Sequence, residues 1–509
     1  MQFRGSAVVL SLFLLTSPVS ASPVAEACNV LASAFPEQVY VSGTSAYDAE
    51  NNDYWSTSAV LVPACIFAPG NAAEVSHAVN TLTAFRAPFA VKGGGGMTVD
   101  GYANIDKGIV ISLVNLTSVE VSDDLSLIKF GAGNNWDAVY AALKPYNRTT
   151  VGGRMGLVGV SGYLLGGGVG FLSNQYGFAA TSVAEYECVL ANGTIITATE
   201  TNPHADLYWA LKGGGNSFAI VTAFTMRTHP SGTNGTIAGA YPTYSSDQRT
   251  AFVSTLHAFA LHGAADPKGA LEPQVIWDPA GGAPTFSTSL VYDGATTDPA
   301  VLRNWTGGGA LQPEQAERPL LQPTTLWDYT RAPYGGVERP FGKRARFIAS
   351  SLRAGPDTRA LDIVIDDFFP ALHGAGLADV ANISVSLVFQ PWRADFVEAS
   401  EAYGGNPMGY DAAKAPYIWF IQAYAWSDPA DDERVQRFYR GWTPRIEERL
   451  EKEGMRDPFV FMNDADAWQD VFGGYEQASV RKLKMIRQWY DPDMVFTKLM
   501  PGGFKVENA

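Results

Sequence analysis

Two glycine clusters in this chain each follow a strand-like run. The first is Lys92-Gly93-Gly94-Gly95-Gly96-Met97, entered from Pro88 to Val91. The second runs from Gly152-Gly153-Arg154-Met155-Gly156 through Gly159, Gly162, Gly166-Gly167-Gly168 and Gly170. Glycine lets backbone crowd a ligand and adopt positive φ freely. Successive N–H groups in such turns form a concave anion site. Any one of these glycines reads equally well as a plain turn. Two such loops on strand ends suit one long, phosphate-bearing cofactor better than two unrelated turns, and so point to a cofactor-dependent enzyme. The six histidines, His77, His204, His229, His257, His262 and His373, are scattered, and no Cys/His spacing fits zinc, so no metal site is expected.

The elements that must hold these loops read as a mixed α+β fold. From Ser58 to Pro230, short β-rich runs alternate with glycine turns and a few helices. Val75, Val79 and Leu82 repeat at helical spacing and predict an amphipathic helix over Ala72 to Phe85. Ala90-Val91, Gly108 to Leu113 and Leu127 to Gly131 read as strands, and Trp136 to Leu143 as a short helix. Ser182 to Leu190 and Thr194 to Thr197 flank Asn192-Gly193, the signature of a hairpin. A dinucleotide fingerprint would open a long helix directly after its glycines. Here Thr98-Val99-Asp100-Gly101 follows instead, which is turn-like and argues against a doubly wound sheet.

After Ser231 the glycine signature stops. Strand-like runs at Ser287 to Tyr292, Ile383 to Gln390 and Tyr417 to Trp426 alternate with helix-like stretches at Asp357 to Phe369 and Asp431 to Arg440. This predicts an antiparallel sheet with helices on one face. The expected organisation is a cofactor domain over 58–230, a substrate domain over 231–456, and a segment 457–509 that completes the first.

Composition sets the class. The chain has 509 residues, 46% hydrophobic and 17% charged, with a formal net charge of −15. That charge argues against nucleic acid or an anionic membrane as partner. Arg4, the apolar run Ala7 to Leu15 and the small residues Val19-Ser20-Ala21 read as a secretory signal over residues 1–21, with a buried helix as the alternative. Sequons at Asn115, Asn147, Asn192, Asn234, Asn304 and Asn382 agree with an extracellular route. Of three cysteines, Cys28 and Cys65 lie near the mature amino terminus and could pair. Cys188 sits in a strand-like run and reads as a small buried hydrophobe rather than a nucleophile.

Several motifs together resemble one family. They are Lys92 to Gly95, Asn104-Ile105-Asp106, Val158-Gly159-Val160-Ser161-Gly162-Tyr163 through Gly168, and Trp209 to Asn216. Phe389-Gln390-Pro391-Trp392, Gly404-Gly405-Asn406, and Tyr490-Asp491-Pro492-Asp493 with Phe496 complete the set. In this order they look like the berberine-bridge-enzyme-like FAD oxidases of the vanillyl-alcohol oxidase / p-cresol methylhydroxylase superfamily. The resemblance implies a two-subdomain FAD-binding domain and a large antiparallel sheet over the flavin. It implies that Lys92, Gly93, Gly94, Gly95, Gly96 and Met97 cradle the pyrophosphate. Gly159, Gly162, Gly166, Gly167 and Gly168 would pass under the flavin and ribityl chain, with Tyr163 near the pyrimidine end. Ile220 and Val221 would pack on the cofactor, and Val158 matches a position read as permissive to oxygen, or as ordinary packing.

Departures from the family pattern carry their own implications. Gly96 and Met155 stand where family members carry the His and Cys that bond the flavin, so the resemblance implies noncovalent FAD. Asp464, after Asn463, replaces the family's Tyr and is the candidate base, or else orders the loop holding Asn463. Tyr403 and Tyr424 are weaker candidates. Trp392, Trp419 and Trp426 are read as pocket walls or as core. Arg344 and Arg346 are read as binding a substrate acid or as a solvated basic turn. The expected activity is a secreted, monomeric oxidase passing hydride from a small secondary metabolite or carbohydrate to flavin, then to oxygen. Two alternatives are a flavin-scaffolded isomerase or cyclase, and a non-catalytic binding protein.

Overall fold

A computed structural model describes residues 22–280, 282–315, 318–331 and 342–509. The signal-peptide reading over 1–21 lies outside the described residues.

The amino-terminal half carries two sheets. The first runs in the order Val39–Val41, Cys65–Phe67, Ile109–Ser112, Phe89–Lys92, with its last two pairings parallel. Helix Ala72–Phe85 makes the crossover. Its start is fixed by sequence: Asn71 Oδ1 accepts from Glu74 N, and the Glu74 carboxylate accepts from Gly70 N at 2.7 Å. It ends at Arg86 in the left-handed region. Val75, Val79 and Leu82 face the sheet and are fully buried. Cys28, on helix Pro23–Ala34, is disulfide-bonded to Cys65 and ties that helix to the sheet.

The second sheet is antiparallel, in the order Val119–Val121, Leu127–Gly131, Ile220–Arg227, Val183–Val189, Ile195–Thr199. Its Val183–Val189 and Ile195–Thr199 strands form the hairpin, turned at Gly193 with φ of 77°. Cys188 is buried and unpaired on that hairpin, and burial pushes its thiol well up, which suppresses the nucleophilic thiolate.

The large sheet runs Gln322–Thr324, Ile237–Ala240, Thr285–Tyr292, Gly269–Ile276, Ser384–Trp392, Tyr417–Trp426, Arg344–Arg353, Arg456–Asp457, all antiparallel. Strand periodicity divides its two faces. On Tyr417–Trp426, Ile418, Phe420, Tyr424 and Trp426 turn toward a core shared with helices Arg249–His262, Arg359–Gly374 and Asp432–Lys452. The intervening Trp419, Ile421 and Ala423 turn the other way, to the wall of a cavity against the amino-terminal half. Helices on one face and a site on the other are thus written into one alternating strand.

This alternation corrects two readings. Tyr424 points into the helix-side core and donates to Gln422 Oε1 at 2.7 Å, so it cannot reach the cavity. Trp426 lies on the same side and donates from Nε1 to Asp432. Arg344 and Arg346 are neither substrate ligands nor a solvated turn. Arg344 pairs with Asp432, and buried Arg346 reaches Ser58, the Thr98 carbonyl and Asp100. The large sheet is thereby fastened to the turn that follows the first glycine loop.

The carboxy-terminal segment returns to the amino-terminal half. Helix Gln477–Tyr490 ends with the Tyr490 hydroxyl bonded to Asp206 and beside His204. The Asp491 carboxylate accepts from the N–H groups of Val495 and Phe496 at 2.7 and 2.8 Å, which gives the Tyr490 to Phe496 motif a structural reason.

Candidate active site

The cavity between the large sheet and the glycine loops holds about 440 Å³. Both glycine clusters line it, and they touch. A Cβ on Gly94 would lie 2.5 Å from the Gly159 Cα, and one on Gly93 2.0 Å from Ser161 Oγ. Only glycine permits that approach. At Gly96 and Gly162 the opposite holds: a Cβ meets no atom within 4 Å, so it would stand in the cavity itself.

A polar group gathers at one end. Arg154, in the second glycine cluster, donates from one terminal nitrogen to Gln390 Oε1 and sets the other 3.1 Å from Glu272 Oε1. Gln390 Nε2 closes the ring by donating to the same Glu272 oxygen at 2.8 Å. Glu272 and Gln390 sit on the neighbouring strands Gly269–Ile276 and Ser384–Trp392, so the bracket joins the large sheet to the glycine loop.

Asp464, half-buried, lines the same cavity. Burial pushes its carboxyl up to about 7; nearby Arg154 pulls it down and Glu272 pushes it further up. Asn463 donates from Nδ2 to the Tyr163 carbonyl at 3.0 Å, and a Cβ on Gly166 would strike its side chain. Asp464 therefore sits on a loop pinned to the second glycine cluster. The Tyr163 hydroxyl is buried with no hydrogen-bond partner, and burial drives its pKa well up, holding it neutral. An orphaned phenol is a costly feature unless a ligand meets it.

Tyr102 and Phe504, packed edge to face with centroids 5.2 Å apart, also wall the cavity. Asn216 stands beside them. It donates to the Gly502 carbonyl and accepts from buried Lys505 at 2.9 Å.

A family model for an FAD binding domain matches residues 63–199. The FAD-dependent monooxygenase prx3 of Penicillium roqueforti is 32% identical over 494 residues, covering 95% of this chain and 94% of the relative. The bifunctional solanapyrone synthase of Alternaria solani is 31% identical, covering 96% of this chain and 89% of the synthase. The chain belongs to the berberine-bridge-enzyme-like FAD-linked oxidoreductases of the vanillyl-alcohol oxidase / p-cresol methylhydroxylase superfamily. Its fold is shared with the glucooligosaccharide oxidase of Acremonium strictum, at a TM-score of 0.73 and 20% identity over 92% of this chain and 97% of that one. It is an enzyme, an FAD-dependent oxidoreductase acting on small molecules. The non-catalytic alternative is thereby overturned.

The walls fit FAD. Among the described residues no acceptor takes the N–H groups of Gly94, Gly95 and Gly96, which leaves them for a phosphate. Gly96 and Gly162 leave open the space a side chain would fill, and the Tyr163 hydroxyl awaits a partner.

The cavity brings together Gly93, Gly94, Gly95, Gly96, Met97, Met155, Val158, Gly159, Gly162, Tyr163, Gly166, Ile220, Val221, Asn463 and Asp464. Three expected residues lie off its wall. Lys92 is buried in an ion pair with Glu50, its Nζ 2.6 Å from Oε1, so it braces the loop rather than meeting a phosphate. Gly167 and Gly168 turn back, with positive φ, against Met408 and the Tyr163 ring.

Tyr403 is also displaced as a candidate base. It is 43% exposed, its ring lies over the Arg227 guanidinium, and its carbonyl accepts from Lys212 Nζ at 2.6 Å. Of the three tryptophans only Trp419 reaches the cavity; Trp392 packs behind it against Phe396 and Tyr410. Sequence reasoning missed Arg154, Glu272 and Gln390 as a group, and Tyr102 with Phe504. The signal for Arg154 was its place as a long charged side chain inside a glycine cluster.

No helix among the described residues is long and apolar enough to cross a membrane, and no acid, His or Cys group there could hold a metal. All six sequon asparagines are exposed.

Proposed function

We propose that this oxidoreductase removes two hydrogens from a small secondary metabolite, taking the proton on Asp464 and the hydride on noncovalently held FAD. One observation carries the reading: the half-buried Asp464 carboxyl stands on the cavity wall that the glycine loops share with the Arg154–Glu272 pair, where burial raises its pKa. Oxidation of a hydroxyl-bearing carbon to a carbonyl releases one proton and one hydride. A carboxylate poised near pH 7 accepts that proton efficiently. FAD held by these walls would supply the hydride acceptor and the route for electrons to oxygen.

Asp464 orients the substrate hydroxyl and takes its proton. Arg154, held by Glu272 and Gln390, places positive charge near the carboxylate and the developing substrate oxygen. Burial holds Tyr163 neutral, so its unpartnered hydroxyl keeps a proton to offer a ligand. Val158 lines the wall, at the position that the resemblance reads as permissive to oxygen.

Noncovalent attachment rests on Gly96 and Met155. The glucooligosaccharide oxidase carries a 6-S-cysteinyl, 8α-N1-histidyl FAD; glycine and methionine can form neither bond. The exposed sequons and the leader-like first 21 residues support secretion.

Anaerobic mixing with a substrate tests the reading. Flavin colour should bleach in wild type, and about 10²- to 10⁴-fold more slowly in Asp464→Asn, the usual contribution of a general base. Near-normal bleaching in the variant sinks Asp464 as the base. A second reading, ring closure or isomerisation over an unreduced flavin, is favoured by the missing attachment residues and by the kinship with a bifunctional synthase. Product formed with neither bleaching nor oxygen uptake would establish it.

A further inference from the structure

The sheet face of the cavity is graded from polar to apolar along its strands. Residues opposite one another on neighbouring strands form rows across this face. One row holds Gln390 opposite Trp419, with Glu272 two residues from Gln274 on the adjoining strand. The next holds Gln274, Val388 and Ile421. The third holds Ser386, Ala423 and Phe347. Glu272, Trp419 and all six residues of the second and third rows line the cavity.

In the first row the carboxylate is tied to Arg154, and Asp464 feels both charges. In the third, the small side chains of Ser386 and Ala423 stand side by side next to the Phe347 ring. Val388 and Ile421 on one side, and Ile276 and Phe347 at the two ends of the row, are larger, so the pair leaves a recess between them. First and third rows are four residues apart along a strand, or about 13 Å.

We propose that the Ser386–Ala423 recess is the subsite that receives the apolar end of the substrate, so that the substrate is a largely apolar, ring-bearing secondary alcohol rather than a sugar. This rests on the reading of Asp464 as base at the polar end. The alcohol lies with its hydroxyl at Asp464 and Arg154, its body along Trp419, Val388 and Ile421, and its far ring over Ala423 against Phe347. A sugar carries a hydroxyl on nearly every carbon and leaves most of them unpaired over this stretch of the sheet face, where Gln274 and the Ser386 hydroxyl are the partners offered. Unpaired buried polar groups are the costly ones.

The span makes the inference testable by length. Calorimetric titration of the FAD-loaded enzyme would compare methyl phenyl carbinol, which ends before the recess, with methyl biphenylyl carbinol, which reaches it, and with cellobiose. The longer carbinol should bind about tenfold or more tightly than the shorter, as burial of one more ring requires. Ala423→Phe fills the recess and should erase that difference while leaving the shorter carbinol unchanged; Ala423→Val should reduce it if the larger substitution unfolds the protein. Equal binding of the two carbinols to wild type, no binding by either, indifference of the longer one to both variants, or cellobiose as the tightest of the three would overturn the proposal. The underlying reading fails on another signal, namely bleaching that Asp464→Asn leaves unchanged.

Discussion

Arg154 and Glu272 form an ion pair at 3.1 Å on the wall that also carries Asp464. One partner comes from a glycine loop and the other from the large sheet, so docking of the two halves sets the charge that Asp464 feels.

Changing that pair should move the Asp464 titration in opposite directions. Glu272→Gln removes the charge that pushes Asp464 up and frees Arg154 to favour the carboxylate, so the midpoint falls below about 7. Arg154→Met removes the opposing charge, and the midpoint rises; Arg154→Lys restores most of the wild-type value. The infrared band of the protonated carboxyl, recognised by its absence in Asp464→Asn, reports each midpoint. Unmoved midpoints would show that the pair is only a strut.

Asp464 also links stability to pH. Its folded pKa stands above the unfolded value, so the folded state holds a proton that the unfolded state has lost. The penalty is absent below about pH 4, grows as pH rises to about 7, and is constant above. Asp464→Asn should therefore raise the melting temperature of the FAD-free protein at pH 8 and change it little at pH 4. A gain independent of pH would contradict the buried-carboxyl assignment.

The two glycine types should fail differently on substitution. Gly94→Ala places a methyl 2.5 Å from the Gly159 backbone, which cannot retreat as a side chain can. The FAD-free protein should lose about 1–3 kcal/mol, the usual cost of overpacking, in urea melts. Gly96→Ala meets no protein atom and should leave that stability unchanged while weakening FAD binding. Equal FAD affinity in Gly96→Ala and wild type would place the cofactor elsewhere.

Acid denaturation and filtration should release all yellow colour from the polypeptide. Colour retained on the chain would show a covalent bond made by some residue other than Gly96 or Met155.

The glycine loops were legible in sequence because close backbone approach admits no other residue. Helix Ala72–Phe85 was equally plain, since its cap and its apolar spacing agree. Trp392, Trp419 and Trp426 could not be told apart without strand register, because one position of phase decides which face a side chain takes. Arg154 and Gln390 are 236 positions apart and Gln390 and Glu272 are 118 apart. Nothing local in sequence marks a pair brought together only by docking of a sheet on a loop. Asp464 was visible through kinship alone; its raised pKa depends on walls drawn from distant segments.

The walls of one cavity come from Gly93, Arg154, Glu272, Trp419, Asp464 and Phe504, in that order along the chain. During synthesis the glycine loops emerge first and wait for the loop of Asp464 and for Tyr102's partner, which follow about 300 positions later or more. Domains fold as they emerge, yet here the cofactor bed stays open on one side until those segments arrive. The first glycine loop by itself is accordingly half a bed, closed only by chain made long after it.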